Sequence, residues 1–256
     1  MKIEQVALQL YTLRDACQSP VDFATTLQRV RRIGYQAVQL SGEAPMPTAQ
    51  IKQIASDAGI HICATHEDSQ QILTEPARAT ERAVELGAEI VAYPFPRDVD
   101  FTDGTQVEQL ARQLDAAGAV FREAGLRLCY HNHAIEFLRY GNQLVLEYLY
   151  AATAPENLGA ELDTYWIHYG GGQVVGWCER MANRLPLVHL KDYCFLPENK
   201  PNYCEIGAGT LPFADIIRVA ENSGCEWFAV EQDTCPGDPF DSIEQSFNYI
   251  RDHLVE

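Results

Sequence analysis

The sequence lacks the cysteine spacing that marks a disulfide framework. Its eight cysteines include no CxxC pair, and disulfides are not expected in a chain of 256 residues without a signal peptide. The first residues, MKIEQVALQL, become polar too early to form the apolar core of such a peptide. We therefore interpret the cysteines as structural or incidental thiols.

Long apolar runs and an excess of positive charge are also missing. No apolar stretch approaches the roughly 20 residues that a membrane helix needs. The 19 Lys and Arg residues are outnumbered by 36 Asp and Glu residues, which gives a formal net charge of −17. Because an acidic protein repels phosphate backbones and anionic lipids, we expect no nucleic-acid partner and no membrane partner. The lack of a signal peptide and of a membrane-length apolar run leads us to expect a cytoplasmic location.

What the sequence does contain is a repeated pattern of a glycine followed by a short apolar run. The runs are GYQAVQL (34–40), GIHICATHED (59–68), GAEIVAYP (87–94), GLRLCYHNH (125–133), GAELDTYW (159–166) and GCEWFAVEQD (224–233). LPLVHLKD (185–192) follows the pattern without the glycine, and IEQVALQLY (3–11) opens the chain. Glycine suits a helix C-cap, and the apolar runs suit parallel strands that are buried on both faces.

Helical segments alternate with these strands along the whole chain. The predicted strands span 3–10, 36–40, 60–65, 89–93, 126–131, 158–163, 186–190 and 226–231. The predicted helices span 20–33, 48–57, 76–86, 105–124, 142–151, 173–183, 212–222 and 239–253. No GxGxxG pattern follows the first strand, which disfavours a doubly wound sheet. The sequence therefore predicts an α/β fold, a single (β/α)8 TIM barrel over residues 1–256.

Charged side chains follow three successive predicted strands at their carboxyl ends. Asp163, His189 and Glu231 each end an apolar run, at the face that bears active sites in such barrels. Carboxylates gather at one point only if a cation neutralises them or a proton is taken up. Mixed carboxylate and imidazole ligands suit a borderline divalent ion, Mn²⁺ first, with Mg²⁺, Co²⁺ or Zn²⁺ as alternatives.

A fourth ligand is most naturally supplied by the fifth predicted strand, in the segment YHNHAIEF. His131, His133 and Glu136 are the candidates there. Strand alternation places the two histidines on one side, and a loop could fold Glu136 back over the barrel mouth. We favour Glu136 as the fourth ligand, slightly ahead of His131.

The chain resembles the sugar phosphate isomerase/epimerase family, the xylose isomerase-like TIM barrels. The resemblance rests on LQLYTLRD (8–15), YHNHAIEF, LDTYW, VHLKD, EIGAG and FAVEQD. It implies that Asp163, His189 and Glu231 bind a divalent metal. Members of the family usually have a glutamate where this chain has His131, and several have a histidine where it has Trp166. The second difference argues against the multi-zinc site of the family's endonucleases.

The resemblance and the strand ends together indicate residues that contact the substrate. Relatives often place a substrate-contacting histidine at the position of His66. His133, Lys191 and Gln9 offer polar groups at other strand ends, and Trp166 could form a wall for a sugar ring.

The reaction that this set of residues suits is proton abstraction next to a carbonyl, through an enediolate. Glu136 and Glu231 are the candidate acid–base groups, with His131 as an alternative base. The sequence thus predicts a metal-dependent sugar isomerase or epimerase with a small carbohydrate substrate. A dehydratase or lyase acting on an inosose or keto-sugar, and a non-catalytic sugar-binding barrel, are the alternatives, and a homo-oligomer is compatible with the chain.

Overall fold

The computed structural model describes residues 1–43 and 45–256. The strands are Val6–Gln9 (β1), Ala37–Leu40 (β2), His61–His66 (β3), Ile90–Tyr93 (β4), Arg127–His131 (β5), Arg139–Tyr140 (β6), Gln143–Leu144 (β7), Gly159–Asp163 (β8), Leu187–Leu190 (β9), Asp192–Leu196 (β10), Lys200–Cys204 (β11) and Trp227–Val230 (β12). The α-helices are Pro20–Ile33 (α1), Thr48–Asp57 (α2), Ser69–Thr74 (α3), Pro76–Leu86 (α4), Gly104–Glu123 (α5), Val145–Ala151 (α6), Thr164–Tyr169 (α7), Val174–Arg180 (α8), Phe213–Asn222 (α9) and Pro239–His253 (α10).

Eight of the strands close into a parallel barrel, in the order β1-β2-β3-β4-β5-β8-β9-β12, with β12 pairing back onto β1. The eight predicted strands are these eight, so the prediction of a (β/α)8 barrel is confirmed. Each predicted strand has a helical segment after it, because helices on the outside cover the apolar outer face of a parallel sheet. Within the described residues, no helix is both long enough and apolar enough to cross a bilayer.

Helix ends follow the local sequence. Ser19 caps α1 by accepting a hydrogen bond from the backbone N–H of Asp22, and Pro20 occupies the first helical position. Gly87 ends α4 in the left-handed conformation, at φ 81°, which glycine adopts without steric cost.

Two antiparallel hairpins stand outside the barrel order. β10 pairs with β11, and β6 pairs with β7. The sequence-based prediction had a loop in place of the first hairpin, and it missed the short helices α3 and α7. The helix predicted after the fifth barrel strand begins at 142, whereas the structure has β7 at Gln143–Leu144 and starts α6 at Val145.

The inside of the barrel is arranged in two layers that follow from the two-residue period of a strand. The lower layer is apolar and mostly small, and it comprises Ala7, Ala37, Cys63, Ala64, Ile90, Cys129, Leu187 and Ala229. Two residues further along many of the same strands, the chain carries polar side chains instead. These are Gln9, Gln39, His66, His131, His189 and Glu231. The polar layer therefore lies directly above a packed apolar floor, at the carboxyl ends of the strands.

Candidate metal and active site

Asp163 and three side chains of the polar layer converge at the barrel mouth. Asp163 ends β8, His189 lies in β9, Glu231 directly follows β12, and His131 ends β5. One ligand atom from each lies within 4.8 Å of the others, and all four residues are buried. We call these four residues the outer cluster. It contains the three ligands expected from the strand ends, with His131 as the fourth member.

A second group, the inner cluster, consists of His66, His131, Glu161 and His189, again with one ligand atom each within 4.8 Å. Glu161 Oε1 lies 2.6 Å from His66 Nε2 and 3.1 Å from both His131 Nδ1 and His189 Nε2. The two clusters share two histidines, His131 and His189. His189 faces the inner cluster with Nε2 and the outer cluster with Nδ1, which lies 3.0 Å from Glu231 Oε2.

Lys191 brings a buried positive charge to the edge of the outer cluster. Its ammonium group lies 3.0 Å from Asp163 Oδ2, 2.7 Å from Glu231 Oε2 and 2.8 Å from Asp233 Oδ1. The Lys191 side chain is 2 % exposed. An ammonium that is this deeply buried needs such carboxylates, because an unpaired charge in the interior costs several kcal/mol.

The protonation of these groups follows from burial and from their neighbours. Burial opposes the charged form of His189, but the Glu161 and Glu231 carboxylates outweigh burial and raise the pKa to about 10. Burial raises the pKa of Asp163 to about 6, although Lys191 lowers it. In the metal-free protein at neutral pH, His189 is therefore a cation facing carboxylates.

The outer cluster fits a divalent ion. Asp163 Oδ2 is buried without a well-directed hydrogen bond in the described part of the chain, and its nearest cation is the Lys191 ammonium at 3.0 Å. Burial lowers the pKa of His131 to about 3, so its imidazole is neutral and can offer a lone pair. The carboxylates around the two clusters outnumber the cations of His189 and Lys191. These carboxylates belong to Glu161, Asp163, Glu231 and Asp233.

Glu136, the preferred fourth ligand, lies elsewhere. It sits in a 3-10 turn, Ile135–Phe137, and is fully buried. Its carboxylate accepts hydrogen bonds from the Tyr130 hydroxyl (2.8 Å) and from the backbone N–H of His133 (2.8 Å). These two contacts hold the carboxylate, and it belongs to neither cluster. The structure thus brings His131, and not Glu136, into the outer cluster.

A cavity of about 370 Å³ opens onto the clusters. Its lining includes His66, His131, His133, Lys191 and Glu231, together with Asp233. The histidines and the lysine expected to contact substrate therefore share one cavity with the candidate base.

Trp166 and Gln9 are not among the residues that line this cavity, but each contacts residues that are. The Trp166 ring lies 5.4 Å from the His133 ring and 5.7 Å from the Lys191 ammonium, which places an aromatic wall beside the polar groups. Gln9 is fully buried, and its Nε2 lies 3.5 Å from His66 Nε2. Gln9 thus contacts His66 from within the barrel.

Sequence reasoning missed Glu161, Asp233 and the role of Gln39. Gln39 Nε2 donates to Glu161 Oε2 (2.7 Å), and Gln39 Oε1 lies 2.6 Å from His189 Nε2. The available signal was the strand period: Glu161 lies two residues before Asp163 and so on the same inward face. A charged residue inside an apolar run was the clue.

The choice between His131 and Glu136 as the fourth ligand has a direct test. His131→Ala is expected to weaken Mn²⁺ binding by more than about 100-fold, because losing even an outer partner of a metal ligand costs about 10–100-fold. Glu136→Gln should stay within about twofold of the wild-type protein, since its amide can bond both Tyr130 and His133. Isothermal titration of both metal-free variants measures this. The reverse order of effects would make Glu136 the ligand.

The chain is a closed (β/α)8 barrel with buried carboxylates and histidines at the carboxyl ends of its strands, and these side chains form a candidate metal site. The family model described as xylose isomerase-like TIM barrel matches residues 27–253. The chain therefore belongs to the xylose isomerase-like TIM barrel family, as the resemblance of its motifs predicted.

Three individual proteins show how the chain relates to the family. An inosose dehydratase from Geobacillus thermodenitrificans is 21 % identical over 271 residues, which covers 91 % of this chain and 90 % of that protein. A sugar phosphate isomerase/epimerase structure from Parabacteroides distasonis superposes with a TM-score of 0.83 at 22 % identity, covering 99 % and 96 % of the two chains. A xylose isomerase-like barrel from Mycobacterium smegmatis, in complex with magnesium, has a TM-score of 0.71 at 16 % identity, covering 98 % and 97 %.

Proposed function

We propose that the protein is an enzyme that removes a proton from the carbon next to a carbonyl in an inosose or keto-sugar, in a reaction that depends on a divalent metal ion. The observation that carries the proposal is the outer cluster, two of whose members, His131 and Glu231, line a cavity of about 370 Å³. The enzyme names of similar proteins, a dehydratase and an isomerase/epimerase, describe reactions that start from this step.

Glu231 is the candidate base. It lines the cavity, and burial raises its pKa less than Lys191 and His189 lower it, so that the pKa lies well below the usual range. The carboxylate is therefore charged at neutral pH and can accept a proton from a substrate carbon. The Lys191 ammonium, 2.7 Å away, stabilises negative charge that develops on a substrate oxygen at this side of the cavity.

The residues of the outer cluster would hold the ion, with Mn²⁺ as the best match to two carboxylates and two imidazoles. The bound ion would supply Lewis-acid polarisation of the carbonyl oxygen. A barrel with the same fold from Mycobacterium smegmatis is a complex with magnesium, which supports a divalent ion as the proposed cofactor.

Elimination of water is the outcome that the site supports best. One carboxylate suffices for it when the proton taken from carbon is returned to the hydroxyl that leaves on the same face. Epimerisation needs groups on both faces of the carbon, and Glu136, the second carboxylate expected for that role, is buried against Tyr130 and His133. The inosose dehydratase that aligns along nine-tenths of the chain supports the same choice.

Isomerisation or epimerisation is the second candidate. His133 lines the same cavity as Glu231, and burial lowers its pKa well below the usual range, so a neutral imidazole is available as a second base. The isomerase/epimerase from P. distasonis, at a TM-score of 0.83, supports this alternative.

A screen in D₂O separates the candidates. Inososes, ketoses and keto-glycosides would be incubated with the Mn²⁺-loaded protein and, as a control, with protein treated with EDTA. Metal-dependent growth of ultraviolet absorbance from an enone, with loss of water, is the expected result. Deuterium exchange at a substrate carbon without new absorbance would identify an isomerase or epimerase. Saturable binding of a sugar without exchange or absorbance would contradict an enzymatic role and leave a sugar-binding barrel.

A further inference from the structure

Glu161 is the most heavily contacted charged side chain inside the barrel that the proposed mechanism does not use. It is fully buried in β8, and it contacts side chains from four other strands. These are Gln39 of β2, His66 of β3, His131 of β5 and His189 of β9. Glu161 does not line the cavity. It can therefore act on the site only through its contacts with His131 and His189.

The hydrogen bonds of Gln39 determine which nitrogen of His189 keeps its proton. Gln39 Nε2 donates to Glu161, so Gln39 Oε1 is left as an acceptor, and it lies 2.6 Å from His189 Nε2. His189 Nε2 must therefore carry a hydrogen, which Glu161 Oε1, 3.1 Å away, also attracts. The lone pair of a metal-binding imidazole is then on Nδ1, the atom that faces Glu231 at 3.0 Å.

His131, like His189, has one ring nitrogen close to the Glu161 carboxylate. Its Nδ1 lies 3.1 Å from Glu161 Oε1, and the backbone register pairs His131 directly with Glu161 across β5 and β8. A carboxylate behind a histidine fixes the ring orientation and the tautomer and raises the basicity of the opposite nitrogen. For His131, the opposite nitrogen is Nε2.

We infer that Glu161 is a positioning residue that, with Gln39, holds His131 and His189 so that each ring presents its other nitrogen to the outer cluster. This role rests on the proposed function only in that the outer cluster binds a metal. It predicts that one carboxylate controls two ligands at once, so its loss lowers metal affinity without removing a ligand.

The competing possibility is that the metal itself occupies the inner cluster, with Glu161 as a direct ligand. The two arrangements exclude each other for a single ion, since both use His131 and His189. The position of an anomalous peak from bound Co²⁺ distinguishes them: a peak within bonding distance of the Glu161 carboxylate would overturn the positioning role.

The variant test uses Glu161→Gln with Glu136→Gln as a matched control, because both variants remove one fully buried carboxylate. Glu161→Gln is expected to bind Co²⁺ about 10–100-fold more weakly and to change the visible absorption of the bound ion, whereas Glu136→Gln should keep both. In metal-free protein labelled with ¹⁵N-histidine, the wild-type Nε2–H signal of His189 should exchange slowly with solvent and should broaden in Glu161→Gln.

A second variant, at Gln39, covers the case in which Glu161→Gln does not fold. If Glu161→Gln does not fold, Gln39→Met leaves the carboxylate in place and removes the partner of His189 Nε2, and a smaller loss of Co²⁺ affinity is expected. Co²⁺ affinity and the histidine spectra do not depend on turnover. If both changed as expected in a protein without activity, the proposed reaction would be contradicted but the role of Glu161 would not. Unchanged Co²⁺ affinity and spectra in both variants would overturn the role.

Discussion

Replacing Glu231 by glutamine is expected to lower kcat by about 10²- to 10⁴-fold, which is what a general acid–base group contributes. The amide cannot accept the proton that the charged carboxylate takes from a substrate carbon. Its shape is nearly the same, and its oxygen can still face the Lys191 ammonium, which lies 2.7 Å from Glu231 Oε2. The expected result, at saturating Mn²⁺ because Glu231 also belongs to the outer cluster, is a loss in kcat that exceeds any rise in KM, measured on the substrate that the D₂O screen identifies.

The matched control for this variant is Glu226→Gln, which makes the same change at the opposite end of the same strand. Glu226 pairs with Arg127 at 2.6 Å on the surface, outside the barrel mouth. Its substitution should leave kcat and KM near their wild-type values. If Glu231→Gln kept wild-type deuterium exchange at the substrate carbon, Glu231 would not be the base, and His133 would be the next residue to replace.

The second large effect is expected for Lys191→Met in the absence of metal. Removing one partner of a buried charge cluster costs about 3–5 kcal/mol, because Asp163, Glu231 and Asp233 lose the ammonium that lies within 3.0 Å of each. The free energy of unfolding, measured with EDTA at pH 8, should fall by about this amount. Lys52→Met, on an exposed position of α2, is the control and should change little.

The pH dependence of the Lys191→Met defect has a definite sign. Burial already raises the pKa of Asp163 to about 6 with the ammonium present, and removing Lys191 raises it further. A carboxyl whose folded pKa lies above its unfolded pKa binds more protons in the folded state, so stability falls as pH rises through that interval. The defect should therefore be largest above pH 6 and shrink towards pH 4.

Added Mn²⁺ should restore more stability to Lys191→Met than it adds to the wild-type protein, because the ion replaces the missing positive charge and stabilises the folded state to which it binds. Equal stability of the two proteins in EDTA at pH 8 would contradict the assignment of Lys191 as the counter-ion of these carboxylates.

Much of the fold could be predicted from the sequence because each barrel strand is marked by residues that lie next to one another in the chain. Each needs a glycine or turn, a run of four to six apolar residues and a following helix, and all three are adjacent in the chain. The hairpin of β10 and β11 was missed because its residues, from Asp192 to Cys204, are mostly polar or partly exposed. Such a hairpin has no apolar face whose period would reveal it.

The positions of site residues that end a strand could be predicted from the sequence. The position of a side chain that lies in a turn could not. Asp163, His189 and Glu231 follow apolar strands, and the barrel brings such ends together. Glu136 was misplaced because a single 3-10 turn directs its carboxylate to the backbone N–H of His133, and no pattern in YHNHAIEF distinguishes that turn from an outward loop.

Glu161 was overlooked for a different reason. The role of a carboxylate in the middle of an apolar strand can be inferred only when its neighbours from other strands are known. For Glu161 these neighbours include Gln39 and His189, which are distant in the sequence. The pairing of His131 with Glu161 depends on the register between β5 and β8, and this register could not be predicted from the sequence alone.

The central claim is that side chains from four strands bind one divalent ion at the mouth of the barrel. A crystal of the metal-free protein soaked in Mn²⁺ and measured at the manganese absorption edge tests it most directly. We expect one strong anomalous peak within bonding distance of His131, Asp163, His189 and Glu231. A fully occupied peak bonded to Glu136, or the absence of any peak at this mouth, would contradict it.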